Sequence, residues 1–163
     1  LTKSKFSYIL LAFLIFASVG TSVVSLYPSP LTMRPNDQVT YKEVQGMNWL
    51  ISHKDLGVKT VDVLSPVRRY ADLIFGYQIG QTRRDLSRDL ILPDHFGMAE
   101  TDSLPIDSKR YLVITDFDIR AYADLWKDID RFDRDDFDRV DQCANVDKVY
   151  ENSELRSYLV HQL

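Results

Sequence analysis

Asp116 and Asp118 stand two residues apart, directly after the apolar run Leu112-Val-Ile-Thr115. Two carboxylates at that spacing can hold a magnesium ion, or divide the roles of nucleophile and general acid/base, if a strand end delivers both into one cleft. The same spacing suits a plainer task. A short acidic side chain at a helix start accepts backbone N–H groups that the helix leaves without partners. Capping is the expectation for Asp116 or Asp118, and a metal-dependent hydrolase or phosphotransferase using Asp116, Asp118 and His95 is the alternative. His95 lies in Asp94-His-Phe-Gly97, a loop setting in which a histidine can act as a base. A single backbone hydrogen bond is the plainer expectation for it. His53 and His161 are distant in sequence, and no His-x-x-x-His or Cys-x-x-Cys spacing occurs, so no zinc site is expected. Cys143, the sole cysteine, reads as a small packed side chain, and no Gly-x-Ser-x-Gly elbow is present.

The Asp-x-Asp pair resembles two enzyme patterns and departs from both. Haloacid-dehalogenase-type phosphatases use the first aspartate as nucleophile and the second as acid/base around Mg²⁺. That pattern wants Thr or Val two residues after the second aspartate, where this chain has Arg120. Nucleotide-sugar transferases hold a metal on the diphosphate with such a pair, but after a Rossmann-like half that this chain is too short to supply.

Other charged groups read as surface. Asp128, Asp130, Asp133, Asp135, Asp136 and Asp138 supply hard oxygen ligands of the kind Ca²⁺ takes. However, no glycine occurs after Gly97 to turn an EF-hand loop, and Arg131, Arg134 and Arg139 are interleaved. A solvated, salt-bridged face is expected, with no metal and no cofactor. Arg68, Arg69, Arg83 and Arg84, with Tyr70 and Tyr77, have the chemistry to meet lipid phosphates or anionic sugars; a solvated helix face is the default. The chain is mildly acidic, with a net charge of −4, and lacks the basic footprint of a nucleic-acid binder.

Phe6 to Tyr27 has 22 residues, 16 of them apolar, and no charge. As a helix it would be about 33 Å long, enough for a hydrocarbon core of about 30 Å. Tyr8 and Tyr27 flank it, and Lys3 and Lys5 precede it, so the positive-inside rule puts everything after Tyr27 on the extracytoplasmic side of a cell membrane. A cleaved signal peptide is the competing reading, with small residues at Ala17-Ser-Val-Gly20. The apolar character continuing through Val23, Val24 and Leu26 favours a span. The chain opens on Leu1, and on the fragment reading this helix is the last span of a polytopic protein.

Residues 1–27 thus read as a membrane helix, 28–37 as a Pro-rich stalk and 38–163 as an extracytoplasmic α/β domain. Thr40-Tyr-Lys-Glu43 is a capping box opening a helix to about His53, with Val44, Met47, Leu50 and Ile51 on one face. Val58 to Leu64 reads as a strand. Ser65-Pro66 starts a helix to Phe75 or Tyr77, which Gly76 and Gly80 stop. Gln81 to Arg88 has no clear period, and Leu90 to Leu104 reads as a long loop. Arg110 to Thr115 is the clearest strand, apolar enough for a central position covered on both faces. A helix over Asp118–Ile129, a short charged helix or turn over Asp133–Val140, and a hairpin of Val146–Tyr150 and Leu155–Val160 follow. The order predicts a small layered α/β domain with a mixed sheet and a C-terminal β-hairpin.

Gln38-Val-Thr-Tyr-Lys-Glu43 running into Gly46-Met-Asn-Trp-Leu50 resembles the start of the outer domain that follows the last span in archaeal-type polytopic membrane proteins related to GT-C-type glycosyltransferases. The strand Tyr111-Leu-Val-Ile-Thr115 and the terminal hairpin from Lys148 to Tyr158 are similar as well, with Asn152-Ser153 where that family has Asn-Gly. The resemblance covers about residues 37–160 and implies location and architecture. Catalytic carboxylates in such transferases lie in an early loop that this chain does not contain, so no catalytic residue carries over. The resulting expectation is a non-catalytic binding or assembly domain. Its partners would be the bilayer, other membrane helices of the same protein, and a glycan or lipid-linked sugar.

Overall fold

The computed structural model describes residues 3–26, 39–87, 89–98 and 102–162, which fall into two compact units divided after Asn36. The first holds α1, Lys3–Leu26. Apolar residues at nearly every position from Ile9 to Phe16 leave α1 exposed around its whole circumference. The hydroxyls of Thr21 and Ser22 donate back to the carbonyls of Ala17 and Ser18. The α1 side chains that are described, 8–22, span about 22 Å. Among the described residues no helix is long and apolar enough to cross a membrane. The expected stalk, 28–37, lies outside the described residues.

The second unit is a small α/β domain with a mixed four-stranded sheet. Its helices and strands are α2 Tyr41–His53, β1 Lys59–Asp62, α3 Val67–Phe75, α4 Tyr77–Thr82, β2 Arg110–Thr115, α5 Asp116–Ile119, α6 Arg134–Arg139, β3 Val146–Glu151 and β4 Leu155–Val160. The strand order is β1-β2-β4-β3, with β1 parallel to β2 and the other pairings antiparallel. Parallel neighbours need a crossover, and residues 63–109 provide it. β2 is central, as its continuous apolar run predicts. Leu112 and Ile114 face one core with Val61, Phe96, Tyr122, Phe137 and Tyr158, while Val113 faces the other with Met47, Leu50, Val67, Tyr70 and Leu155. This is the period-two rule with both faces covered. The terminal hairpin forms as expected. Asn152 Oδ1 accepts from the N–H groups of Glu154 and Leu155, and a register shift between Lys148 and Tyr150 leaves Val149 as a bulge.

Three local readings need correction. Gly76 stops α3 at a φ of +89°, but Gly80 falls inside a further helix, α4. Ser65 does not cap α3: Pro66 occupies the cap position without a side-chain bond, and Ser65 is drawn elsewhere. The expected helix over Asp118–Ile129 starts at Asp116, widens into a π turn over Arg120–Leu125 and ends in a 3₁₀ turn over Lys127–Ile129. Among the described residues the long loop after Leu90 is found as expected, with one 3₁₀ turn over Asp94–Gly97, and its apolar side chains turn inward. Leu92, Phe96, Met98, Leu104 and Ile106 are buried from it. Asn145 clamps it, with Oδ1 accepting from Leu104 N–H and Nδ2 donating to the carbonyls of Leu104 and His161.

Candidate functional site

The strand-to-helix junction after β2 separates the two aspartates by burial. Thr115 is the N-cap: its Oγ1 accepts from Asp118 N–H at 3.1 Å, and the Asp118 carboxylate accepts from Thr115 N–H at 2.7 Å. This reciprocal pair makes a capping box with aspartate as the third helical residue. The remaining Asp118 oxygen crosses to the segment after β1 and accepts from Ser65 N–H at 3.0 Å, and Ser65 Oγ lies 3.2 Å from Thr115 Oγ1. Asp118 is fully buried, and that burial pushes its carboxyl up to about 6 against the N–H groups that favour its charge. Asp116 points the other way. Its carboxylate is 42% exposed and pairs with Arg120 Nε at 2.9 Å, one helical turn on. Arg120, which breaks the phosphatase pattern in the sequence, is therefore the partner of the first aspartate.

The two carboxylates do not converge. Each oxygen of Asp118 is occupied by a backbone donor, and a cation between the pair would have to displace both those bonds and the Arg120 contact. Asp118 joins the end of β2 to the start of the α3 crossover, a link between residues 53 positions apart. Neither aspartate is the cap itself, which belongs to Thr115.

His95 lies in a separate place. The backbone turns left-handed at His95, Phe96 and Gly97, with φ of 51°, 53° and 68°. The two non-glycine residues of this run persist in that conformation where packing over-determines it. Phe96 supplies that packing, wholly buried with its ring 4.6 Å from Phe132 and 5.5 Å from Phe137. His95 N–H donates to the Arg131 carbonyl at 2.7 Å, and Nδ1 lies 2.7 Å from the buried Asp136 Oδ2. Asp136 belongs to a second capping box. Its N–H donates to Asp133 Oδ1 at 2.8 Å and its carboxylate accepts from Asp133 N–H at 2.9 Å, opening α6. The hydrogen bond to Asp136 holds the imidazole above its ordinary pKa, with the charges of Asp136, Asp130 and Asp133 adding to the effect.

His95, Asp133 and Asp136 each place one possible ligand atom within 4.8 Å of the others. The hydrogen bonds already made explain that proximity. Both carboxylates hold the first turn of α6, and Asp136 also orients the ring. His95 Nε2 stands 3.9 Å from the exposed Asp130 Oδ1. A carboxylate-oriented imidazole is two thirds of a nucleophilic triad. Cys143 does not complete such a triad, since its Sγ is buried against Met98 Sδ at 3.2 Å and its thiol is pushed up by burial.

The other candidates disperse. His53 Nδ1 lies 2.7 Å from the Trp49 carbonyl, with its ring stacked on Trp49, and His161 pairs with Asp147 at 2.7 Å. The interleaved arginines reach outside the acidic run, Arg131 to Asp94, Arg134 to Asp124 and Arg139 to the Met98 carbonyl, while Asp138 of the run pairs with the distant Arg156. A cleft beside Met98, Arg139 and Cys143 has a volume of ≈ 40 Å³, room for about one water.

Sequence reading missed the partners more than the residues. Asp133-Arg-Asp-Asp136 has capping spacing, a local signal that the acidic density around it concealed. Lys54, wholly buried at its side chain, bonds Asp85 at 2.6 Å, and Arg83 holds the other Asp85 oxygen at 2.8 Å. Those hydrogen bonds draw the Asp85 carboxyl down to about 2, although its burial acts in the opposite sense. Nothing in the local sequence announces that triad. No family model, curated protein or solved structure matches this chain.

Proposed function

We propose that this chain is a membrane-anchored protein whose α/β unit lies on the extracytoplasmic side and works by binding or assembly, without catalysis. One observation supports the non-catalytic half most strongly: the Asp-x-Asp pair is used by the fold. Asp118 is fully buried with both oxygens on backbone N–H groups, and Asp116 faces Arg120 instead. Support for the anchor is the uncharged run from Phe6 to Tyr27, preceded by Lys3 and Lys5. Within α1 the described apolar side chains are exposed on all sides, the pattern of a helix that needs an apolar surrounding rather than one apolar neighbour. The hydroxyls of Thr21 and Ser22 turned onto helix carbonyls suit that surrounding, where an unpartnered polar group is costly. The reading extends to the tail of a glycosyltransferase-like polytopic protein, with a glycan or lipid-linked sugar as ligand.

The test is hydrolysis of a phosphomonoester by the full chain in detergent or vesicles, with and without Mg²⁺. The expected result is no turnover above buffer, for the wild type and for Asp116→Asn alike. Mg²⁺-dependent turnover that disappears in Asp116→Asn would replace this reading with the membrane-tethered phosphotransferase.

A further inference from the structure

The folded unit segregates its charge. From Asp37 onward the chain carries 17 basic and 24 acidic residues, yet Pro66 to Asp85 has four arginines against Asp72 and Asp85, and Asp85 is held by both Arg83 and Lys54. That segment is α3, Gly76 and α4, with Arg83 and Arg84 beyond them. Its inner face is fixed by Val67, Tyr70 and Ala71, all buried. Arg69 and Leu73, one turn apart, are on the outer face, and Leu73 is 63% exposed. Tyr77, at the bend after α3, is 69% exposed, and Arg84 is exposed beyond α4. Arg68 donates to Gln81, which ties the two helices together.

Large exposed apolar side chains next to arginines, on a short helix pair of an otherwise acidic unit, have the composition of an interfacial helix. Apolar tips enter the headgroup boundary while guanidinium groups meet phosphates. A protein partner would match the apolar tips equally well. The local positive charge, opposite in sign to the rest of the unit, selects an anionic surface. We infer that the α3–α4 pair docks on the anionic headgroup surface of a lipid bilayer, with Leu73 and Tyr77 as apolar contacts and Arg69 and Arg84 as phosphate ligands. The inference rests on the membrane reading above and adds to it the face of the unit that meets lipid.

Amide hydrogen exchange on the full chain tests it, in vesicles of phosphatidylcholine alone and of phosphatidylcholine mixed with phosphatidylglycerol. Amides of residues 67–82 should exchange at least about ten-fold more slowly in the mixed vesicles. The double variant Arg69→Glu/Arg84→Glu, and separately Leu73→Asp, should remove that difference while α2 and β2 exchange as in the wild type. Equal exchange in both vesicles overturns the inference. So does protection that grows with protein density in phosphatidylcholine, which would assign the face to a second copy. The anchor reading is judged separately on the amides of Lys3–Leu26: protection in both vesicles supports it, and free exchange in both rejects it.

Discussion

Asp118→Ala should cost about 3 kcal/mol of stability, because it leaves the Thr115 and Ser65 N–H groups buried without an acceptor. Asp118→Asn should cost about 2 kcal/mol, since its amide oxygen can serve one donor while its NH₂ faces the other. Asp116→Asn should cost less than about 0.5 kcal/mol, being one half of an exposed ion pair. Denaturant unfolding of the three variants gives the order directly. The same residue sets a pH dependence. In the folded chain Asp118 ionises at about 6, against 3.8 for an ordinary aspartate. Between those values the native state keeps a proton that the unfolded state has lost. Its contribution is therefore complete below 3.8, declines as pH rises and is gone above about 6. Between about pH 5 and pH 7 the wild type should lose about 1 kcal/mol from this source, and Asp118→Asn should lose none of it. His95, raised by Asp136, acts in the same sense: its stabilisation is present below its ordinary pKa and lost as pH passes the raised one. Unfolding across pH in Asp118→Asn removes the aspartate's share and leaves those of His95 and of Glu43, which burial also raises.

Gly97→Ala should be nearly as damaging, again at about 3 kcal/mol. Its φ of +68° is one that side chains resist, and a Cβ there would stand 2.6 Å from Pro105 Cγ and 3.1 Å from Pro93 Cγ. Both are ring carbons with little freedom to move aside. Gly76 is the control. Its φ of +89° is equally left-handed but no atom lies within 4 Å of a Cβ there, so Gly76→Ala should cost about 1 kcal/mol, conformation alone. Thermal unfolding ranks the two variants. Displacing Gly97 also moves the turn that presents His95. The imidazole pKa, followed by NMR, should then fall towards the ordinary value as the Asp136 bond is lost.

These two positions show which parts of the fold were legible. The α2 face of Met47, Leu50 and Ile51, the central strand β2 and the terminal hairpin all follow from local periodicity, and each is found where that periodicity puts it. Thr40 caps α2 as expected, with Glu43 N–H donating to its hydroxyl at 3.2 Å. The Glu43 carboxylate, however, receives the Tyr70 hydroxyl of α3, and burial raises it. A capping signal tells where a helix starts but does not reveal which distant group competes for its side chain. Leu92, Phe96, Met98 and Leu104 have no helical or strand period, so they read as loop, yet packing against β2 and α6 makes them core. Ser65 and Asp136 were unreadable for a related reason: their partners, Asp118 and His95, are 53 and 41 residues away.

The central claim is that the Asp116-Phe-Asp118 carboxylates serve the fold and do not share a cation. Carboxyl carbon NMR shifts of Asp116 and Asp118, followed through a Mg²⁺ titration into the millimolar range at neutral pH, test it most directly. The account predicts an Asp118 signal that stays fixed and an Asp116 signal that drifts weakly without saturating. Saturable shifts of both signals with one common midpoint would contradict it.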